Sequence, residues 1–237
     1  MKDLILNEII KNGIFITNQL LNEAEKQSLK KDFSYNKNKE LFKINKEEDI
    51  KKISETLFIF LQKDFIKNFL REYFENETKC TNILFSRTTP EMKVDDSRQI
   101  EEGNVFGFHN DDSGKQIKIN ILLNDLDEKS NGLEYAVSSH KIGKLDKFLI
   151  SFLRIFGLYK NWNKHLINYQ KNKIQGKKVN FMSEKEVKKK FKIIKVHGKS
   201  GLIYIFDTNG FHRQGSVDSE NLTNFKRELI TLYFNKK

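Results

Sequence analysis

The stretch GLIYIFDTNGFHRQG, residues 201–215, changes character halfway along. Its first seven residues are mostly apolar, β-branched or aromatic, the composition of a strand. Thr208, Asn209 and Gly210 then supply the residue types of a tight turn, and His212 opens the next segment. A strand, a reversal and a second strand would aim that imidazole back across a sheet.

The same texture recurs on both sides. TNILFSR (81–87), NVFGFH (104–109), QIKINILL (116–123), GLEYAV (132–137), FKIIKVH (191–197) and KRELITLYF (226–234) all read as strands. DDSGK, KSNG, HGKSG and DTNG separate them as turn signals, which predicts an antiparallel sandwich or barrel rather than alternating βα units. Upstream, Ile14 to Thr17 reads as a strand, followed by a helix that Asn22 would cap. In residues 46–75, Ile50, Ile53, Leu57, Leu61, Phe65 and Phe69 recur every three or four positions, the pattern of an amphipathic helix that packs on a sheet.

At 237 residues the chain suits one domain, 1–237, with a core of ordinary size. The fold class expected is mainly β with flanking helices (α+β). A single cysteine, Cys80, excludes an internal disulfide framework and a thiolate-rich zinc cluster, and points to a reducing cytoplasm. Asp3 and Glu8 interrupt the apolar residues of the first segment, so a secretory signal is not expected, and no apolar run is long enough to span a bilayer. The formal charge of +11 is unevenly distributed. Residues 141–200 hold 17 basic against three acidic side chains, a net of +14, leaving −3 for the remainder. Within them, 141–195 reads as a basic, largely helical insert or lid, whose first part, 146–169, is helical in period and broadly apolar.

FGFHNDDSG, residues 106–114, carries the second candidate histidine. On a strand, side chains alternate faces, so His109 and Asp111 point the same way and Asp112 points oppositely, free to serve the turn. His212 is the best-placed third ligand. Two histidines and one aspartate make the facial set of a non-haem Fe(II) site, which leaves three positions open; zinc accepts the same donors. Arg227 opens the last strand on the face it shares with Leu229, Thr231 and Tyr233, where either a carboxylate ligand or a nearby acidic side chain would satisfy it.

Taken in order, FHND, KINILLNDLDEKSNGLEYAVSSHK, GLIYIFDTNGFHRQG and Arg227 resemble the phytanoyl-CoA dioxygenase family of Fe(II)/2-oxoglutarate oxygenases. The resemblance covers about residues 104–140 and 200–234, and GIFITNQLLNEAEKQSL looks like the family's opening strand and helix. It implies a double-stranded β-helix, a cupin-like jelly roll with helices outside. It further implies that His109, Asp111 and His212 bind iron, that Arg227 holds the distal carboxylate of the co-substrate 2-oxoglutarate, and that O2 is consumed. Asn120 is the implied additional co-substrate contact, although strand parity does not choose among Lys118, Asn120 and Leu122. The family has a glycine where this chain has Ser138, and His140 beside it reads as turn-stabilising. His165 and His197 read as surface residues, with His197 in reserve for His212.

The implied activity is hydroxylation of a small organic substrate with release of succinate and CO2. The basic insert suggests an anionic or carrier-linked substrate. Its apolar part, 148–165, offers a second expectation, peripheral contact with an anionic membrane. A non-enzymatic jelly-roll binding module is the alternative from another class. Nucleic acid is not the expected partner, because Tyr233 stands where demethylases of this superfamily carry a second arginine.

Overall fold

The structure, a computed structural model, describes residues 1–33, 39–89, 108–111, 115–141, 179–182, 184–215 and 226–235. The N-terminal part is helical apart from two strands. Helix α1 (Lys2–Asn12) ends on Gly13 in the left-handed region (φ 81), and strand β1 (Ile14–Thr17) follows. Helix α2 (Glu23–Asp32) starts at Asn22 as expected: Asn22 Oδ1 accepts from the Glu25 amide at 2.9 Å, and Glu25 Oε2 accepts from the Asn22 amide at 2.8 Å. This reciprocal pair satisfies two amides that the helix itself cannot.

After β2 (Lys39–Lys43), the periodic stretch 46–75 forms three helices instead of one: α3 (Glu47–Ile53), α4 (Glu55–Gln62) and α5 (Asp64–Phe74). The first of the two breaks falls at Ser54. Ser54 is extended, its Oγ accepts from the Leu57 amide at 3.1 Å, and it donates to Asp32 of α2 at 2.6 Å. A hydroxyl thus ends one helix and caps the next, while the apolar stripe runs through both.

The strands β3 (Cys80–Thr88), β4 (Phe108–Asp111), β5 (Gln116–Leu122), β6 (Leu133–Ala136), β7 (Val179–Met182), β8 (Ile193–Lys195), β9 (Ile203–Asp207), β10 (His212–Gln214) and β11 (Arg227–Asn235) complete two antiparallel sheets. The first has the order β1-β9-β5-β11-β3-β2, the second β7-β4-β10-β6-β8. From β3 to β6, and again from β8 to β11, successive strands alternate between the sheets, which is the winding of a jelly roll. The predicted mainly-β architecture with flanking helices is the one observed.

Side-chain alternation divides the molecule into layers. Ile117, Ile119 and Ile121 of β5, with Ile230, Leu232 and Phe234 of β11, pack outward against the helices through Leu57, Phe60, Ile66 and Phe69. Leu122, Leu229, Tyr204, Phe206 and Tyr135 face inward between the sheets. β5 is buried on both faces yet alternates in sequence: its isoleucines face the helices, while the polar Gln116, Lys118 and Asn120 fall on the other face.

Most of the predicted basic insert, 142–178, including the apolar stretch 148–165 and His165, lies outside the described residues, as do 104–107 of the predicted NVFGFH strand. The described part of the insert is not helical throughout. β7 pairs with β4 at the edge of the second sheet, and helix α6 (Glu184–Lys190) buries Val187 against Phe108, Ala136 and Phe211 on that sheet's outer side. No helix among the described residues is long and apolar enough to cross a membrane.

Candidate metal centre

His212, first residue of β10, pairs directly opposite His109 of β4. Two further contacts stitch these distant segments together. The Asp111 amide donates to the Thr208 carbonyl at 2.9 Å, and Asn110 Nδ2 donates to the Asn209 carbonyl at 3.1 Å. The turn that delivers His212 is itself wired through Asp207. Its Oδ1 accepts from the Asn209 amide (2.9 Å) and side chain (3.0 Å), and its Oδ2 accepts from the Tyr73 hydroxyl (2.6 Å). The Tyr135 hydroxyl donates to the Asp207 carbonyl at 3.0 Å. DTNG is therefore a turn locked from two directions, not a loose connection.

The result is that His109, Asp111 and His212 each present one donor atom, all within 4.8 Å of one another. The imidazole centroids are 4.6 Å apart. His212 Nδ1 lies 2.9 Å from the Gly210 carbonyl, so Nδ1 carries the proton and Nε2 keeps its lone pair for a cation. Phe206 packs edge-on against the His212 ring at 5.1 Å.

Electrostatics prepares the same donors. Burial, helped by neighbouring His109, lowers His212 to about 3, so the ring is neutral at physiological pH. Burial alone would raise the Asp111 carboxyl, but Lys118 and the two imidazoles outweigh it and hold it well below the usual carboxylate range. The Lys118 ammonium donates to Asp111 Oδ2 at 2.6 Å. An ionised carboxylate and a neutral imidazole need lose no proton to bind a metal.

Arg227 lies on the interior face of the first sheet, as its strand parity requires. Its Nη1 donates to the Asn131 carbonyl at 2.7 Å and its Nη2 reaches Thr88 Oγ1 at 3.5 Å, whereas Nε is buried and unpartnered. No carboxylate pairs with it among the described residues. Burial lowers its pKa, opposed by the interaction with Tyr204. Near it, both side-chain polar atoms of the fully buried Asn131 lack partners.

The β5 positions left open by parity are resolved by the fold. Lys118, Asn120 and Leu122 all face inward. Lys118 meets Asp111, and Leu122 joins the apolar interior. Asn120 Oδ1 accepts from the Thr231 hydroxyl at 2.7 Å while its Nδ2 is buried without an acceptor.

Other candidates take structural positions. His140 Nε2 lies 3.1 Å from the Ile10 carbonyl at the end of α1. Ser138 adopts φ 64, the left-handed conformation that glycine enters most easily, and is held there by its amide and hydroxyl on the Asn12 and Lys11 carbonyls. His197 is exposed and stands outside the cluster. Cys80 is buried, and burial pushes its thiol up to about 12.

Sequence reasoning missed Lys118 as the partner of Asp111, and Thr88, Asn131 and Tyr204 around Arg227. Alternation along GLIYIFD could have placed Tyr204 and Phe206 on one face. Nothing local marks Asn131, which lies in a stretch that reads only as a turn.

No protein-family model matches the chain, and no curated protein does. Solved structures do match over nearly its whole length. AviO1 from Streptomyces viridochromogenes Tue57 superposes with a TM-score of 0.58 at 11% identity, over 99% of this chain and 94% of that one. EctD from S. alaskensis, solved with 2-oxoglutarate and 5-hydroxyectoine, gives 0.57 at 12% identity over 97% and 74%. The epimerase SnoN, in complex with Fe3+, alpha ketoglutarate and nogalamycin RO, gives 0.60 at 10% identity over 98% and 82%. The chain shares their fold. At such identities the likeness is one of architecture.

Proposed function

We propose that the protein is an Fe(II)/2-oxoglutarate-dependent dioxygenase that hydroxylates a small anionic or carrier-linked organic substrate, releasing succinate and CO2. The observation that carries this reading is the meeting of His109, Asp111 and His212 inside a jelly roll whose interior also holds Arg227 without a carboxylate partner among the described residues. Two imidazoles and one carboxylate suit a first-row divalent cation and occupy one face of it, leaving three positions for other ligands. EctD with 2-oxoglutarate and SnoN with Fe3+ and alpha ketoglutarate, which share the fold, support the choice of cofactors.

When bound, iron, 2-oxoglutarate and dioxygen together supply the oxidising power for attack on a C–H bond. The chain contributes orientation. The Arg227 guanidinium would take the distal carboxylate of 2-oxoglutarate through charge-assisted bonds, using the Nε–H that now lacks an acceptor. Asn120 Nδ2, likewise without an acceptor, would donate to the same co-substrate. Leu122, Leu229 and Phe206 line the interior with apolar surface that excludes water. The net +14 of residues 141–200 supports an anionic primary substrate, and the single, buried thiol suits a cytoplasmic location.

Anaerobic titration with Fe(II) and 2-oxoglutarate tests the proposal. The expected result is a weak visible charge-transfer band, lost in His212→Ala and, at the same 2-oxoglutarate concentration, in Arg227→Met. Metal uptake with no response to 2-oxoglutarate would overturn the dioxygenase reading in favour of a zinc-type site. Absence of metal uptake would leave a binding module.

A further inference from the structure

Lys118 is a costly residue in its position. Its side chain is 16% exposed, and it points between the sheets from the middle of β5. The pairing of β5 with β11 and β9 sets it opposite Tyr233 and Phe206, whose ring centroids lie 5.4 and 5.8 Å from Nζ. These rings restrict the ammonium laterally. Among the described residues its one ion-pair partner is Asp111, whose side chain is equally buried, at 2.6 Å through Oδ2.

We infer that Lys118 is a positioning residue: by occupying Oδ2 it leaves Asp111 a single oxygen, Oδ1, for the metal, and so keeps a coordination position open for the co-substrate. The inference rests on the function proposed above and deepens it. Three protein donors leave three positions on a six-coordinate cation. A two-oxygen chelate and dioxygen together need all three. An aspartate free to use both oxygens would take one of them, and nothing else at Asp111 Oδ2 among the described contacts prevents it.

Charge points the same way. Lys118 offsets the charge of Asp111, so a divalent cation placed there retains its attraction for a dianionic chelate such as 2-oxoglutarate. Removing Lys118 should therefore act in opposite directions on the two ligands. The metal gains a second oxygen and loses a repelling neighbour, whereas 2-oxoglutarate loses a position and an attracting charge. A side chain with only a structural role would weaken both.

The test uses the full chain, Co(II) as the metal, its d–d absorption as the coordination readout, and separate titrations of Co(II) and 2-oxoglutarate. Lys118→Met is expected to bind Co(II) at least as tightly as the wild type, to shift the d–d spectrum, and to bind 2-oxoglutarate about tenfold or more weakly. Lys118→Arg should restore most of that loss. Equal weakening of both ligands, or no change in either, overturns the inference. Should Lys118→Met fail to fold, Lys118→Gln serves: it retains a donor to Oδ2 without the charge, and is expected to keep the wild-type spectrum while losing part of the 2-oxoglutarate affinity. A changed spectrum there, or unchanged affinity, also counts against it. Wild-type protein that takes up no Co(II) removes the proposed function itself, whereas wild-type binding of both ligands with Lys118→Met unaltered removes only the role of Lys118.

Discussion

Arg213 follows His212 on β10 and points to the opposite side of the second sheet, away from the candidate metal centre. Its Nε donates to Glu134 of β6 at 2.7 Å, and its two terminal nitrogens donate to Glu184 of α6 at 2.9 and 3.1 Å. The guanidinium also lies over the Phe108 ring, 4.5 Å from its centroid. One side chain thus ties together β4, β6, β10 and α6 behind the two histidine strands. Replacing it with Met keeps much of the aliphatic volume and removes every donor. Glu134, only 12% exposed at its side chain, would be left charged without its partner, a loss of about 3–5 kcal/mol. Glu184 is 42% exposed and can turn to water, so its share stays within about 1 kcal/mol. For a chain of this size each kcal/mol moves the midpoint by about 2–4 °C, so Arg213→Met should lower Tm by about 6–24 °C. The assay is thermal and urea unfolding of the wild type, Arg213→Met, Glu134→Gln and the double variant. Neutralising Glu134 in the Met background should recover at least about 2 kcal/mol, because the buried charge is the source of the loss. A fall of less than 3 °C in Arg213→Met, about 1 kcal/mol on the same scale, or no recovery in the double variant, would refute this reasoning.

Gly210→Ala should destabilise by about 1–3 kcal/mol in urea unfolding, since a methyl group there runs into the Tyr135 hydroxyl that anchors the Asp207 turn. Bonds from Arg213, set against partial burial, lower Glu184 from its ordinary 4.5 to about 2. Its stabilising contribution is therefore complete above pH 4.5 and disappears as the pH falls toward 2; Glu184→Gln should flatten that part of the Tm–pH curve. His140→Ala should retain Co(II) binding while lowering Tm, because the ring anchors the end of α1, whereas His212→Ala should abolish Co(II) binding.

The architecture was legible in local pattern. Two-residue alternation and turn chemistry located most of the described strands, and Asn22 marked its helix start, because these features depend on neighbours a few positions away. Parity alone put His109 and Asp111 on one face and Arg227 on the face of Leu229 and Thr231. The split of 46–75 at Ser54 was not legible, since the helical stripe continues across the break and the hydroxyl's partner, Asp32, is 22 residues away. β7 was missed within a segment whose charge dominates its reading.

What the sequence by itself determined was which residue types lie on which face of each element, because side-chain direction follows from backbone period. Only the tertiary structure decided which faces meet. It brought His212 opposite His109 across 103 positions, and set Lys118 against Asp111. It left Arg227 without an acidic partner among the described residues. Such pairings depend on sheet order and on turns such as DTNG being locked by Tyr73 and Tyr135, contacts between residues far apart in the chain that no local pattern encodes.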